Sequence, residues 1–117
     1  MKDKQLAIIE YYGVDHQLRK LVEEVYELID AIHEMRYSNL QPSDKMERMI
    51  NHIKEEYTDV LNVLDQHRKY WNISLEEIEP IYKYKIDRTY ERIGAENEEL
   101  LRSATRTRSS KKQTKKS

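Results

Sequence analysis

The chain has 117 residues, enough for one core, and 37% of them are charged against only two glycines, two prolines and no phenylalanine, a balance that predicts an all-α fold rather than a sheet. It has no cysteine, which excludes disulfides and thiolate metal sites and leaves carboxylate or imidazole to hold any metal, so hard cations are favoured. The formal net charge of −1 conceals an asymmetry: positions 102–117 hold seven of the 21 Lys and Arg and none of the 22 Asp and Glu, leaving 14 bases against 22 acids, or −8, in residues 1–101. An acidic body is a poor nucleic-acid surface, whereas a basic tail can contact phosphate chains without a fold of its own. The reading is therefore a helical domain over 1–101 and a disordered basic tail over 102–117.

The spacing predicts a first helix over about residues 3–12, with Leu6, Ile9 and Tyr12 inward, stopped at Gly13. Asp15 is then placed to cap a long second helix, whose Leu18, Leu21, Val22, Val25, Leu28, Ile29, Ile32 and Met35 follow the i, i+3, i+4, i+7 rule. Ser38 to Pro42 breaks that pattern, and Ser43 or Asp44 reopens it, Asp44 with Glu47 resembling a capping box. A third helix is expected to about Tyr70, with Met46, Met49, Ile50, Ile53, Tyr57, Val60, Leu61 and Leu64 buried, antiparallel to the second because the loop is short. Ser74 with Glu77 makes another capping box, but Pro80 follows within the first turns and predicts either a kink or a short helix with a new start. The remainder to about Leu101 reads as a four- to five-helix bundle's last member, with helical spacing through Ile81, Tyr84 or Lys85, Arg88 and Arg92.

No long apolar run marks a leader or a membrane span at the N-terminus, so a cytoplasmic location is expected and Asn72-Ile73-Ser74 is a sequon by chance. The four histidines show no metal-site spacing and read as surface or boundary residues, with His52, one turn before Glu56, the one placed to support a site there.

The chemistry lies in the acids. Glu23-Glu24-Val25-Tyr26-Glu27 on the second helix and Glu56-Tyr57-Thr58-Asp59 on the third each present two carboxylates three residues apart on one face. At roughly 100° per residue, Glu24 and Glu27 lie about 80° and 140° to one side of their helix's apolar centre, and Glu56 and Asp59 repeat those offsets in the same sense. Two antiparallel helices packed face to face then bring both pairs to one side. Four acids gathered at the rim of a core either raise their pKa values or recruit a cation, and an oxygen-only donor set suits Mg²⁺, with Mn²⁺ as a substitute. A single solvated Glu needs no such reading; Glu76 with Glu77 and Glu98 with Glu99 have no matching partner pair, and remain ordinary surface acids.

EExxE followed within about thirty residues by ExxD resembles the motif of the all-α nucleoside triphosphate pyrophosphohydrolases that include MazG, the dimeric dUTPases and the dCTPases. Here it is Glu23-Glu24-x-x-Glu27 and Glu56-x-x-Asp59, set in LRKLVEEVYELIDAI and EEYTDVLNVL, and the likeness runs from about Gln17 to Arg92. The resemblance implies Mg²⁺ on Glu24, Glu27, Glu56 and Asp59, with Glu23 the candidate for orienting or deprotonating water. It also implies triphosphate contacts from the last helix by a Lys, an Asn four residues later and then an Arg. Lys85, Thr89 and Arg92 stand at that spacing, with Thr in place of Asn, and Lys83 and Arg88 are available beside them. Gln17 and Lys20 share the stripe of Glu24 and Glu27 and could reach either the base or the phosphates.

The implied reaction is attack of water at the α-phosphorus of a nucleoside triphosphate, yielding a monophosphate and pyrophosphate. A homodimer or homotetramer is expected, because so thin a bundle leaves one apolar side uncovered. Two readings from other classes stand beside this one. One is a non-catalytic helical adaptor that binds nucleic acid through the tail, indifferent to Mg²⁺ and sensitive to salt; the other keeps the metal site and only sequesters nucleotides.

Overall fold

The computed structural model describes residues 2–38 and 43–116, with side chains given for 2–38 and 44–105. Among these there are four helices and no strand: α1 (Lys4–Tyr12), α2 (Val14–Tyr37), α3 (Ser43–Tyr70) and α4 (Leu75–Lys116). Two compact units result, Met1–Ser74 and Leu75–Ser117. No helix among the described residues is long and apolar enough to cross a membrane.

Asp3 caps α1, its Oδ1 accepting from the Leu6 N–H at 3.1 Å. The same carboxylate lies 3.0 Å from Lys69 Nζ and so ties the start of α1 to the end of α3. The hydrogen bond from Lys69, with that from the Leu6 N–H, holds the Asp3 carboxyl below its ordinary value. Gly13, at φ 93°, closes one helix and opens the next: its N–H donates to Ile9 O at 2.8 Å and its carbonyl accepts from Gln17 N–H at 3.1 Å. Glycine reaches that positive φ without steric cost, so α2 restarts at once at Val14. Asp15, expected as the cap, therefore sits within the first turn, where its charge complements the helix dipole instead.

α2 and α3 run antiparallel, and α1 packs across both. Ile9, Ala31, Met49 and Val63 form the buried apolar core, with Leu6, Leu21, Leu28, Met35, Ile53 and Val60 half-buried around it. This differs from the expected core. Leu18, Val22, Val25, Ile29 and Ile32 on α2, and Met46, Ile50, Tyr57, Leu61 and Leu64 on α3, are exposed, as is Tyr12. The apolar arc of each long helix is wider than one partner can cover. The edge that faces the other helix is the one carrying Gln17, Leu21, Glu24, Leu28 and Ala31, not the arc's centre.

The end of α3 is closed by Asn72 in the left-handed region, φ 57°. Ile73 N–H bonds Arg68 O and Asn72 N–H bonds Lys69 O, both at 3.0 Å, the paired arrangement that satisfies a helix's last carbonyls. Ser74 directly precedes α4, the position in which it was expected. No new helix start occurs at Pro80, which lies inside α4. Near a helix start the missing N–H forfeits one hydrogen bond, and the turns that follow outweigh it. Lys83, Lys85, Arg88 and Arg92 are exposed on this helix. The expected boundary at 101/102 falls inside α4; residues 102–105 continue it with exposed side chains. The rest of the basic stretch expected to be disordered, 106–117, lies outside the residues whose side chains are described. So do Asn39 to Pro42 of the expected break.

Candidate metal centre

The unexpected rotation of the long helices decides the site. Because the contacting edges run through Glu24 and Glu56, these acids sit in the seam between α2 and α3 rather than on its rim. Glu24 is buried to 6% exposure and Glu56 is half-buried. Glu27, one turn after Glu24, joins them: one carboxylate oxygen from each of Glu24, Glu27 and Glu56 lies within 4.8 Å of the others. Asp59, one turn after Glu56, is exposed and outside this trio, and Glu23 is exposed beside it.

Partners are few for so much negative charge. Lys20 Nζ lies 2.9 Å from Glu24 Oε1, and His52 Nδ1 lies 3.8 Å from Glu56 Oε1. The hydrogen bond to Glu24 raises the Lys20 pKa above its ordinary value, with the charge of that carboxylate acting in the same sense. Oε2 of Glu24 and Oε2 of Glu56 are buried and have no hydrogen-bond partner among the described residues. An unpartnered buried carboxylate oxygen is costly; a hard divalent cation held by these carboxylates would supply the missing partner. The donor set therefore fits Mg²⁺ or Mn²⁺ on its own chemistry.

The Glu24 carboxylate pushes the Glu27 carboxyl up from its ordinary range, and desolvation and a hydrogen bond with Glu56 act in the same direction. A carboxylate with a raised folded-state pKa binds its proton more tightly folded than unfolded, so folding stability falls as pH rises from the ordinary carboxylate range through the raised one. Metal-free protein should accordingly lose melting temperature over that window. Glu27→Gln should flatten this part of the profile, and thermal melts in EDTA across about pH 4 to 8 would measure it.

Next to the acids, on the α1 side, is a cleft of about 450 Å³ lined by residues including Tyr12, His16, Gln17, Lys20, Glu23 and Asn62. Its floor is an amide chain. Gln17 Nε2 donates to Gln66 Oε1 at 2.8 Å, Gln66 Nε2 to Asn62 Oδ1 at 3.4 Å, and Gln5 Nε2 to the same Asn62 oxygen at 3.1 Å. His16 Nδ1 lies 2.7 Å from Gln17 Oε1, and its ring stacks on Tyr12 with centroids 4.9 Å apart. Gln17 and Lys20, expected near a ligand, do line this cleft, though Gln17 is itself buried. The sequence reading did not single out Asn62 or Gln66, placed Tyr12 inward, where it is exposed, and took His16 as a surface or boundary residue. One signal was available, since Gln17 stands about two turns before Glu24 on the same helix edge.

Lys85, Arg88 and Arg92 belong to the second unit. Lys85 lines a shallow depression on α4 with Tyr82, Ile86, Thr89, Tyr90 and Ile93, and Thr89 Oγ1 donates to the Lys85 carbonyl at 2.9 Å.

The family model of the MazG nucleotide pyrophosphohydrolase domain matches residues 13–94, which takes in all of α2 and α3 and α4 as far as Gly94. No curated protein and no solved structure matches the chain.

Proposed function

The chain belongs to the MazG nucleotide pyrophosphohydrolase family, and we propose that it is a Mg²⁺-dependent enzyme that cleaves a nucleoside or deoxynucleoside triphosphate to the monophosphate and pyrophosphate. The observation that carries this reading is the pair of buried, unpartnered oxygens on Glu24 and Glu56 within a three-carboxylate cluster. Glu24, Glu27 and Glu56 hold the cation, and Asp59, a turn further on and open to solvent, completes the set from the same helix edge. When bound, the cation offsets negative charge building on the phosphoryl oxygens and acidifies water.

The chain's own groups do the rest. Glu23 orients water or takes its proton, from the exposed flank of α2. Lys20 keeps the Glu24 carboxylate ionised and in place through its 2.9 Å contact. Tyr12 and His16 offer a stacking face, and the amides of Gln17 and Asn62 offer hydrogen bonds, which together suit a nucleobase. Lys85, Arg88 and Arg92 supply phosphate contacts. The exposed apolar stripes of α2 and α3 are covered by a second copy of the chain, in a dimer or tetramer.

A panel of canonical and modified nucleotides assayed for pyrophosphate release tests the reading. Turnover with Mg²⁺ that disappears in EDTA is the expected outcome. Equal release with and without the chelator would contradict it.

A further inference from the structure

On the far side of the acids from the amide-lined cleft is a second one, of about 290 Å³, lined by Ala31, Glu34, Lys45, Arg48, Met49 and His52. Its character is different. Ala31 and Met49 are buried and make an apolar floor, while Lys45 and Arg48 are exposed and have no hydrogen-bond or ion-pair partner among the described residues. Two cations stand against the single acid Glu34.

We propose that this cleft seats the two phosphates that leave as pyrophosphate, which rests on the reading that a nucleoside triphosphate is cut at Glu24, Glu27 and Glu56. Position supports it first. Ala31 follows Glu27 by four residues and His52 precedes Glu56 by four, so the cleft begins one helical turn, roughly 6 Å, along the pair from the acids. Arg48 and Lys45 follow one and about two turns further along α3, where their long side chains can meet the end of a triphosphate chain that starts at the acids. Charge supports it next, because a planar guanidinium and an ammonium over an apolar floor interact more strongly with phosphate oxygens than they would in open water. The opposite cleft differs in charge: its one cation, Lys20, is engaged by Glu24, Glu23 offsets it, and the remaining polar groups are amides, an imidazole and a phenol. The substrate thus has a direction, with its base toward Tyr12 and His16 and its terminal phosphates toward Lys45 and Arg48.

The test is calorimetric titration of the full chain with inorganic pyrophosphate in Mg²⁺, with nucleotide turnover by the unaltered protein measured in parallel. Arg48→Ala should weaken pyrophosphate binding about tenfold, the scale of one charge-assisted contact. Arg48→Lys should restore part of it, and Glu34→Gln should tighten it by removing a like charge. Arg48 is exposed, so circular dichroism of the variants should match the parent. Pyrophosphate binding unchanged in Arg48→Ala, or absent from the parent protein, overturns the assignment even where turnover is normal. Absent turnover with Arg48-dependent pyrophosphate binding would instead contradict the hydrolase reading and leave the anion site standing.

Discussion

Glu24→Gln and Glu56→Gln should each lower Mg²⁺-dependent pyrophosphate release by more than a hundredfold while leaving helix content nearly unchanged. Residues that merely orient a metal ligand already cost about ten- to a hundredfold when lost, and these two are the ligands themselves. Each substitution keeps the side-chain volume within the α2–α3 seam, so packing survives. It also removes one of the mutually repelling charges in the trio, and the metal-free variants should therefore melt at or above the parent temperature. Glu27→Gln and Asp59→Asn should also suppress turnover, with less effect on the seam because both residues are exposed. Steady-state kinetics across a Mg²⁺ titration, with circular dichroism as the fold check, reads all four. Near-parental turnover in any two of them would refute the metal assignment.

The second large effect concerns α4. Lys85→Ala and Arg92→Ala should each weaken triphosphate binding or slow turnover by about ten- to a hundredfold, the range of a lost charge-assisted hydrogen bond. Lys83→Ala should do little. Helical spacing separates them: Lys85 and Arg92 lie within about 20° of each other around the axis, Arg88 about 60° away, and Lys83 nearly opposite. The helix runs unbroken through Pro80, so no change of register intervenes between these residues. Measurement of KM and kcat for the alanine variants decides it. A damaging Lys83→Ala with a harmless Lys85→Ala would transfer the phosphate contacts to the other face of α4.

Much of this was readable from spacing. The antiparallel helix pair, the bounds of α3 and the convergence of Glu24, Glu27 and Glu56 all follow from i, i+3 and i+4 periodicity plus one short loop. What the spacing did not contain is which part of a wide apolar arc meets the neighbouring helix. Val22, Val25 and Ile29 look like core residues by hydropathy, yet the contact runs along Gln17, Glu24 and Ala31. The reasons are chemical. Gln17 and Gln66 satisfy one another across the seam, so two buried amides cost little there, and Ala31 is small enough to let the helices approach while adding little to an apolar count. Asp15 misled for a local reason, because Gly13 at φ 93° restarts the helix two residues earlier than a cap at Asp15 implies. Pro80 brought no new helix start because its disruption depends on how far into a helix it falls. The cleft of Lys45 and Arg48 went unread because exposed cations near a helix start are common, and only the fold shows that they line a cleft beginning one turn from the acids.

The most direct measurement of the central claim is hydrolysis of a nucleoside triphosphate in ¹⁸O-labelled water with Mg²⁺, followed by mass analysis of both products. Attack at the α-phosphorus beside Glu24, Glu27 and Glu56 predicts one labelled oxygen in the nucleoside monophosphate and none in the pyrophosphate. Label in the pyrophosphate, or release of orthophosphate with a nucleoside diphosphate, would contradict it.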